Sequence, residues 1–288
     1  MRLLVFGKTG QVARELAVLC ANKGIAAEFL DRSKADLTNP MACAREIAKT
    51  DADIIINAAA YTAVDKAEDD KQTARLINAA SPTEMAREAA RRGLPFLHIS
   101  TDYVFDGSGD LPWTEDAQPN PQGVYGRTKL AGETGVQGAN GPHVILRTAW
   151  VFSPFGMNFV KTMLRFGVER DELSVVNDQF GGPTSAAAIA RALVDIARAF
   201  HQGKGTSGIF HFAGRPKCHW ADFSDAIFRN QPNAPRIKHI PSSEYPTPAK
   251  RPANSVLDCA KIKAVFGIEQ PDWRTELHKV LATLKETA

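Results

Sequence analysis

The feature that most restricts the fold lies at the amino terminus, where a short apolar strand runs directly into a glycine-rich turn. Residues 2–6 read Arg-Leu-Leu-Val-Phe, and Gly7, Gly10 and Ala13 follow in the spacing Gly-x-x-Gly-x-x-Ala. Glycines permit the tight turn from strand to helix, and the backbone amides that open the next helix attract a pyrophosphate. Because the pattern follows a strand and opens an amphipathic helix, it predicts a dinucleotide-binding βα unit.

Alternation of strand-like and helix-like segments continues to about residue 150. It predicts an α/β fold, a Rossmann-type doubly wound parallel sheet, with residues 1–150 as the NAD(P)-binding domain. Residues 151–288 are expected to form mainly a smaller C-terminal α/β substrate domain, while segments near 173–184 and 208–214 rejoin the first domain. A long helix over 73–92 is expected to be interrupted at Ser81-Pro82.

Composition excludes several classes of protein. The chain has 288 residues, 44% hydrophobic and 23% charged, with a formal charge of +3 and only short basic runs. These values favour a globular protein without a nucleic-acid surface. The four cysteines lack the spacing of a zinc site or a disulfide framework, and no run of about 18 apolar residues predicts a membrane span. We expect a cytoplasmic protein.

The residues after the second and third strands predict the rest of a cofactor site. Asp31 and Arg32 follow the strand at residues 27–30; an acid there favours NAD, whereas an arginine can accept the 2′-phosphate of NADP, so the cofactor stays open. Asp36-Leu37 could line an adenine pocket or simply form a capping turn. Small residues at 58–60 would let a cofactor approach the backbone closely.

Tyr125 and Lys129 stand one helical turn apart and are the candidate acid–base pair. A nearby ammonium is expected to lower the pKa of the phenol so that it can hand a proton to a carbonyl oxygen. The alternative is an ordinary solvated helix. Thr101, at the end of the strand 96–100, could bond the same carbonyl. His98 is interpreted as a core residue, and Asn78 either supports the site or bonds a helix neighbour.

Together, the motifs at Gly7–Gln11, Asn57–Glu68, Ser100–Phe105, Val124–Glu133, Asp178–Gly181 and Tyr245–Ala249 resemble extended short-chain dehydrogenase/reductases, and most closely the dTDP-4-dehydrorhamnose reductase family. The resemblance runs from Met1 to about Asp258. It implies NAD(P)H-dependent reduction of the C4 ketone of dTDP-4-dehydro-β-L-rhamnose to dTDP-L-rhamnose, the last step of dTDP-rhamnose biosynthesis. NADPH is slightly favoured over NADH.

The resemblance also assigns roles by position. The implied catalytic residues are Thr101, Tyr125 and Lys129. The implied cofactor-binding residues are Gly7, Thr9, Gly10, Gln11, Val12, Asp31, Arg32, Asp36, Leu37, Ala58, Ala59, Ala60 and Tyr61, together with Tyr125 and Lys129. The candidates on the side of the dTDP-sugar are Thr62, Thr101, Asp102, Val104, Trp150 and Arg251. Trp150 could instead be a core tryptophan, and Arg251 a surface arginine.

The sequence departs from some members of the family in the acidic residues that bind magnesium and support dimerisation. Some members of the family dimerise through a magnesium site of acidic residues, but the segment from Ser185 has no acid before Asp195 and only Glu15 remains. A single carboxylate rarely makes a magnesium site, so no metal is expected, and the protein is expected to be a monomer or a weak homodimer.

Three rival functions share this fold. A 4,6-dehydratase would need a carboxylate pair after the threonine, and Tyr103 follows Asp102 here. The others are a reductase of another dTDP-4-keto-6-deoxyhexose and a non-catalytic subunit resembling that of methionine adenosyltransferase.

Overall fold

A computed structural model describes residues 1–286 of the chain. Its strands are β1 (Arg2–Phe6), β2 (Ala26–Leu30), β3 (Ile54–Asn57), β4 (Phe96–Thr101), β5 (His143–Thr148), β6 (Val151–Phe152), β7 (Glu172–Val176), β8 (Phe180–Gly181), β9 (Thr184–Ser185), β10 (Gly208–His211), β11 (Cys218–His219) and β12 (Arg236–Ile240). Its helices are α1 (Gln11–Asn22), α2 (Pro40–Lys49), α3 (Lys71–Arg75), α4 (Ser81–Arg91), α5 (Val124–Gly138), α6 (Phe159–Glu169), α7 (Ala186–His201), α8 (Trp220–Phe228), α9 (Ala260–Phe266) and α10 (Trp273–Glu286).

The central element is a six-stranded parallel sheet in the order β10-β5-β4-β3-β1-β2. Its middle strands are apolar on both faces, as the run Ile54-Ile55-Ile56 shows, because helices cover both sides of a parallel sheet. The strand order reverses after β1, so a crevice opens at the carboxyl ends of β1 and β3, where such folds bind ligands. The predicted doubly wound α/β fold is confirmed.

Alternate residues of each strand separate the core into two layers. Leu3 and Val5 pack with α1 and α7, whereas Leu4 and Phe6 pack against the layer that contains α2 and α4. The two helical layers therefore pack on both faces of the sheet, and the candidate site lies on the loops at the carboxyl ends of its strands.

The helix predicted to break at Ser81-Pro82 runs on instead, from α3 through a π-helical segment, Leu76–Ala80, into α4. Pro82 has no N–H to donate back to the Asn78 carbonyl, and the widened turn ends just before it. A Cβ on Gly132 of α5 would lie 2.1 Å from that carbonyl oxygen. The glycine thus lets α5 pack directly against the irregular turn.

The C-terminal half adds a small parallel sheet of β7 and β12 and an aromatic core beneath α6, α8 and α10. Strand β12 was not predicted from the sequence, since Arg236, Lys238 and His239 leave it little apolar pattern. Strand β10 pairs with β5 in the main sheet, whereas β7 lies outside it. The division into domains near residue 150 stays a prediction. Within residues 1–286 no helix is long and apolar enough to cross a membrane.

Candidate active site

The glycine turn lies where the carboxyl ends of β1 and β3 meet. Gly7 has φ +110°, and a Cβ there would lie 3.3 Å from the Ala58 carbonyl carbon. A side chain would be strained by the backbone and crowded by β3, so the position requires glycine. Gly10 precedes α1 as its N-cap residue. No side chain caps the start of α1, so the amides of its first turn can donate to a pyrophosphate and form a backbone cradle for it.

The other residues of this turn differ in exposure. Thr9 is exposed, whereas the Val12 side chain lies in the core. The Gln11 side chain accepts a hydrogen bond of 3.0 Å from Asn158, the residue that caps α6. This contact ties the cofactor turn to the C-terminal half of the chain.

The turn after β2 carries charges of both signs. Asp31 accepts hydrogen bonds from the Ser33 hydroxyl and backbone, which hold the pKa of its carboxyl below the usual value, and Lys8 lies 3.5 Å away. Arg32 pairs with Asp36 at 3.1 Å. Leu37 is buried in the core. Carboxylate and cations thus stand together at the position that distinguishes NAD from NADP.

The segment after β3 is held by Asn78 on the π-helical turn. Its side chain accepts from the Tyr61 backbone amide at 2.9 Å, donates to the Tyr61 carbonyl at 3.0 Å and donates to Thr128 at 3.2 Å. Asn78 therefore bonds the loop after β3 and helix α5, not a neighbour in its own helix, and its support of the active site stays a prediction. It fixes the path of residues 58–61 along the cofactor edge, with Ala58 and Ala59 half-buried and Ala60 exposed.

Thr101 and Tyr125 come from different elements and meet because α5 packs tightly on the loop after β4. A Cβ on Gly126 would lie 2.1 Å from the Tyr103 carbonyl oxygen, so only glycine allows this approach. The Tyr103 and Tyr125 rings pack edge to face at 5.5 Å. Glu68 accepts the Val124 amide at 2.8 Å and so fixes the start of α5.

The Tyr125 phenol is a weaker acid than a phenol in water. Burial raises its pKa to about 12, and the hydroxyl of Thr101 only partly offsets that effect. The expected lowering by Lys129 is not found, because the Lys129 ammonium nitrogen points to β4, where it donates to the Ile99 carbonyl at 2.7 Å. Desolvation lowers the pKa of Lys129 to about 8. The pair therefore supplies a protonated phenol and a lysine that titrates near neutral pH.

Asp102 follows Thr101 in a buried 3-10 turn, Asp102–Val104. It accepts a hydrogen bond of 3.0 Å from the Thr101 hydroxyl, while its Oδ2 atom is buried and has no partner within residues 1–286. Burial raises the pKa of Asp102 to about 6, against the opposing effect of Ser255 and Thr101. The same turn directs the Val104 side chain into the core, with no exposed surface. Val104 therefore has no side-chain surface to offer a ligand.

Trp150 has a positive φ of 49°, which is rare for a bulky residue and typical of functional sites. Its indole is half-buried and stacks on Trp220 at 3.6 Å with an interplanar angle of 9°. A Cβ on Gly181 would lie 2.5 Å from the Trp150 ring. The side chain thus packs against residues of the C-terminal half and stays partly accessible.

Arg251 forms an ion pair with Asp65, 186 residues away in sequence, at 2.5 Å. Asp65 also accepts the Ala249 amide at 3.1 Å. The Nη1 atom of Arg251 is buried and has no partner within residues 1–286, so its donors are unsatisfied in this structure. Thr62 is exposed close by in sequence. The ion pair with Asp65 therefore fixes the Arg251 side chain, which is not freely solvated.

Sequence reasoning missed the buried network behind the site. Glu133 bonds Arg147 at 2.6 Å and accepts the Ser100 hydroxyl, and His211 lies 3.4 Å from Arg147. The spacing of Tyr125, Lys129 and Glu133 by four residues could have indicated that they share one helix face.

No cluster of three or more metal-ligating side chains occurs within residues 1–286. Helix α7 has no acid before Asp195, and its Arg191 pairs with Glu276 at 3.0 Å. Glu15 is partly buried nearby, and burial raises its pKa. Independence from magnesium stays a prediction.

The sequence matches the RmlD substrate binding domain family over residues 1–286. The chain belongs to this family. It is 40% identical to a dTDP-4-dehydrorhamnose reductase of Escherichia coli K12, with 100% of this chain and 99% of that one covered. It also resembles the crystal structure of a dTDP-4-dehydrorhamnose reductase from Clostridium acetobutylicum, with a TM-score of 0.92, 37% identity and coverage of 99% and 100%.

A third relative bears on the cofactor. The dTDP-4-dehydrorhamnose reductase of Bacillus anthracis, solved in complex with NADP, has a TM-score of 0.91 and 31% identity, with 98% of this chain and 99% of that one covered. The family resemblance predicted over residues 1 to about 258 is confirmed and extends to residue 286.

Proposed function

We propose that the protein reduces the C4 ketone of dTDP-4-dehydro-β-L-rhamnose to give dTDP-L-rhamnose, with NADPH or NADH as reductant. The observation that carries this proposal is the meeting of Thr101 and Tyr125 beside the Gly7–Gly10 cradle. Relatives of full length named for this reaction support the same substrate.

In this mechanism the chain positions the ketone and supplies the proton. When bound, the dihydronicotinamide supplies the hydride that adds to C4. Tyr125 donates its phenolic proton to the C4 oxygen, and the Thr101 hydroxyl donates a hydrogen bond to the same oxygen as negative charge develops there. The raised pKa of Tyr125 suits this direction, because the phenol is fully protonated at neutral pH. Lys129 would contribute on the cofactor side, since its nitrogen is bonded to the Ile99 carbonyl and not to the phenol.

The cofactor would lie along the edge formed by the glycine turn and by residues 58–61. Gly7, Thr9, Gly10, Gln11 and Val12 provide the backbone of the pyrophosphate cradle. Asp31 and Asp36 would accept from the adenosine ribose, and Arg32 or Lys8 would meet a 2′-phosphate. The exposed Arg32 side chain, 79% accessible, and the neighbouring Lys8 favour NADPH slightly. Leu37 would contact adenine only through its backbone.

The sugar nucleotide would lie between the Thr101 turn and the C-terminal half. The free Nη1 atom of Arg251 would bind the diphosphate, Trp150 would pack against the sugar or base, and Thr62 and Asp102 would contribute polar groups. The buried carboxyl of Asp102 would act on the sugar through Thr101, whose hydroxyl donates to it. Val104 contributes backbone only.

The test is a coupled assay in which the unstable ketone is made in place from dTDP-glucose by a 4,6-dehydratase and a 3,5-epimerase. Oxidation of NADPH and of NADH is followed by absorbance. The proposal expects consumption that requires the epimerase, and the ratio of the two rates gives the cofactor preference. Consumption without the epimerase would indicate a D-sugar reductase. No consumption from folded protein would favour the non-catalytic alternative.

A further inference from the structure

The start of helix α5, which carries Tyr125, is not capped by its own sequence. Its N-cap residue is Gly123, which has no side chain, and its first turn contains no acidic residue. The amides that open a helix have no partner within it, and they favour an acceptor or a negative charge nearby. The acceptor comes instead from a turn distant in sequence, where Glu68 Oε1 accepts from the Val124 amide at 2.8 Å.

The contact with Glu68 uses the space that Gly123 leaves. The φ of -119° and ψ of 171° at Gly123 are extended values that any residue adopts, so the backbone itself does not require glycine. A Cβ there would lie 2.9 Å from Glu68 Oε1, which is shorter than an ordinary van der Waals contact. The carboxylate of Glu68 therefore occupies the place where the side chain of an ordinary N-cap residue would stand.

The turn that carries Glu68 is itself fixed at its other end. Asp65 precedes the 3-10 turn Lys66–Glu68, and its carbonyl accepts from the Glu68 amide at 3.2 Å. The Asp65 side chain accepts from the Ala249 amide at 3.1 Å and from Arg251 at 2.5 Å. The position of the Glu68 carboxylate is therefore set by contacts outside α5.

An apolar contact accompanies the hydrogen bond. Ala67, next to Glu68, has no exposed surface and forms a small buried cluster with Ala74 and Val124. The Tyr125 side chain packs against this cluster. The turn thus holds α5 at the residue directly before the candidate proton donor.

We propose that Glu68 is a positioning residue for Tyr125, acting as the N-cap of α5 in place of Gly123. Its catalytic consequence rests on the proposed function, in which the Tyr125 phenol must approach the C4 oxygen to about 3 Å. Glu68 acts through geometry, since the pKa of Tyr125 is shifted by burial, Thr101 and Asp102 and not by Glu68.

Variants of the full chain separate the hydrogen bond from the charge. Glu68→Ala removes the acceptor, whereas Glu68→Gln keeps an oxygen acceptor and removes only the charge. Glu68→Ala combined with Gly123→Ser places a hydroxyl acceptor on the helix itself, in the space that the carboxylate has left. Glu46→Ala, which breaks an exposed ion pair with Lys49, is the control.

The position of the Tyr125 ring is measured without substrate. The chain has four tyrosines, so 13C-tyrosine NMR can follow each of them, and Tyr125→Phe assigns the signal. The Tyr103 ring lies edge to face with Tyr125 at 5.5 Å, so a displaced Tyr125 changes its ring-current shift. We expect the signal to move or broaden in Glu68→Ala and to return in Glu68→Gln and in the double variant. An unmoved signal in Glu68→Ala would overturn the proposal whether or not the protein reduces the ketone.

Kinetics in the coupled assay give the second readout. In Glu68→Ala, kcat should fall roughly tenfold while the KM of the cofactor is unchanged, because only the proton donor is displaced. Glu68→Gln and the double variant should recover most of this loss, and Glu46→Ala should show none. A loss of kcat that the double variant does not recover, or a change confined to KM, would overturn the proposal.

Two further outcomes are also decisive. If Glu68→Ala does not fold, the double variant decides alone: near-full kcat supports the cap, and a tenfold loss contradicts it. If the unaltered protein reduces no ketone, the proposed function fails, and the NMR signal of Tyr125 still shows whether Glu68 positions its ring.

Discussion

The cofactor side and the sugar side of the site are built in different ways. The cofactor side is made of backbone brought close by small residues, as at Gly7, whose missing side chain would meet Ala58 at 3.3 Å. The sugar side is made of side chains joined across long stretches of sequence, such as Asp65 with Arg251 and Trp150 with Trp220.

This difference decides how each side tolerates change. A backbone cradle is weakened when a side chain is added, because a positive φ strains the new residue and its Cβ crowds the neighbouring backbone. A pair of side chains weakens only by the hydrogen bonds or packing that a truncation removes, since the backbone around it is unchanged. The cofactor side should therefore respond to small additions, and the sugar side to small deletions.

The largest expected effect is at the junction of the two sides. Tyr125→Phe removes only the proton donor, so turnover should fall by roughly 10³-fold while binding of cofactor and sugar nucleotide is nearly unchanged. Steady-state kinetics and cofactor fluorescence titration measure both. A variant that keeps near-full turnover would place the acid elsewhere.

Asp102 should make stability depend on pH on the sugar side. Its pKa is raised to about 6 from 3.8, so the buried neutral form stabilises the fold at pH below 3.8, and this contribution is lost as the pH rises through about 6. Relative to Asp102→Asn, the unaltered protein should lose up to about 3 kcal/mol of unfolding free energy between pH 4 and pH 8. Urea unfolding at several pH values measures this. Asp110→Asn, on an exposed loop, serves as the control, and a parallel pH dependence in both variants would refute the assignment.

Gly7→Ala tests the backbone cradle. The added methyl group should weaken cofactor binding by about tenfold and lower the melting temperature, because it meets Ala58 at a positive φ. Gly24→Ala is the matched control, since Gly24 has φ +61° but nothing within 4 Å of a Cβ. Gly24→Ala should lower the melting temperature less than Gly7→Ala, and an equal decrease in the two variants would show that the close approach to Ala58 adds nothing to the cost.

Asp65→Asn tests the long-range pairing. Without its partner, Arg251 is less well held, and the KM for the sugar nucleotide should rise by roughly fivefold, about 1 kcal/mol, while the cofactor KM is unchanged. Glu28→Gln, which breaks the exposed pair with Lys34, is the control. A change confined to the KM of the cofactor would show that Asp65 acts on the cofactor side of the site instead.

The smallest expected effect is that of metal removal. Activity should be unchanged by EDTA, because α7 has no acid before Asp195 and proton donation by Tyr125 requires no metal. The coupled assay with and without EDTA measures this. Strong inhibition reversed by magnesium would refute the prediction.

Local patterns made one side of the site predictable from sequence. The glycine turn, the alternation of strands and helices and the Tyr125–Lys129 spacing depend on neighbours within a few residues, and the fold followed from them. The direction of the Lys129 side chain did not, because it depends on Ile99 and His98 of another element. The same limit applies to the π-helical turn at Asn78 and to strand β12, whose formation depends on tertiary packing.

The most direct test of the central claim is to follow the hydride with deuterium at C4 of the reduced nicotinamide. The ketone, made in place by dehydratase and epimerase, is reduced by the purified protein, and the sugar nucleotide is analysed by NMR and mass spectrometry. We predict dTDP-L-rhamnose with one deuterium at sugar C4 when the transferred position of the cofactor is labelled. A product with deuterium elsewhere, or with the opposite configuration at C4, would contradict the proposed reaction.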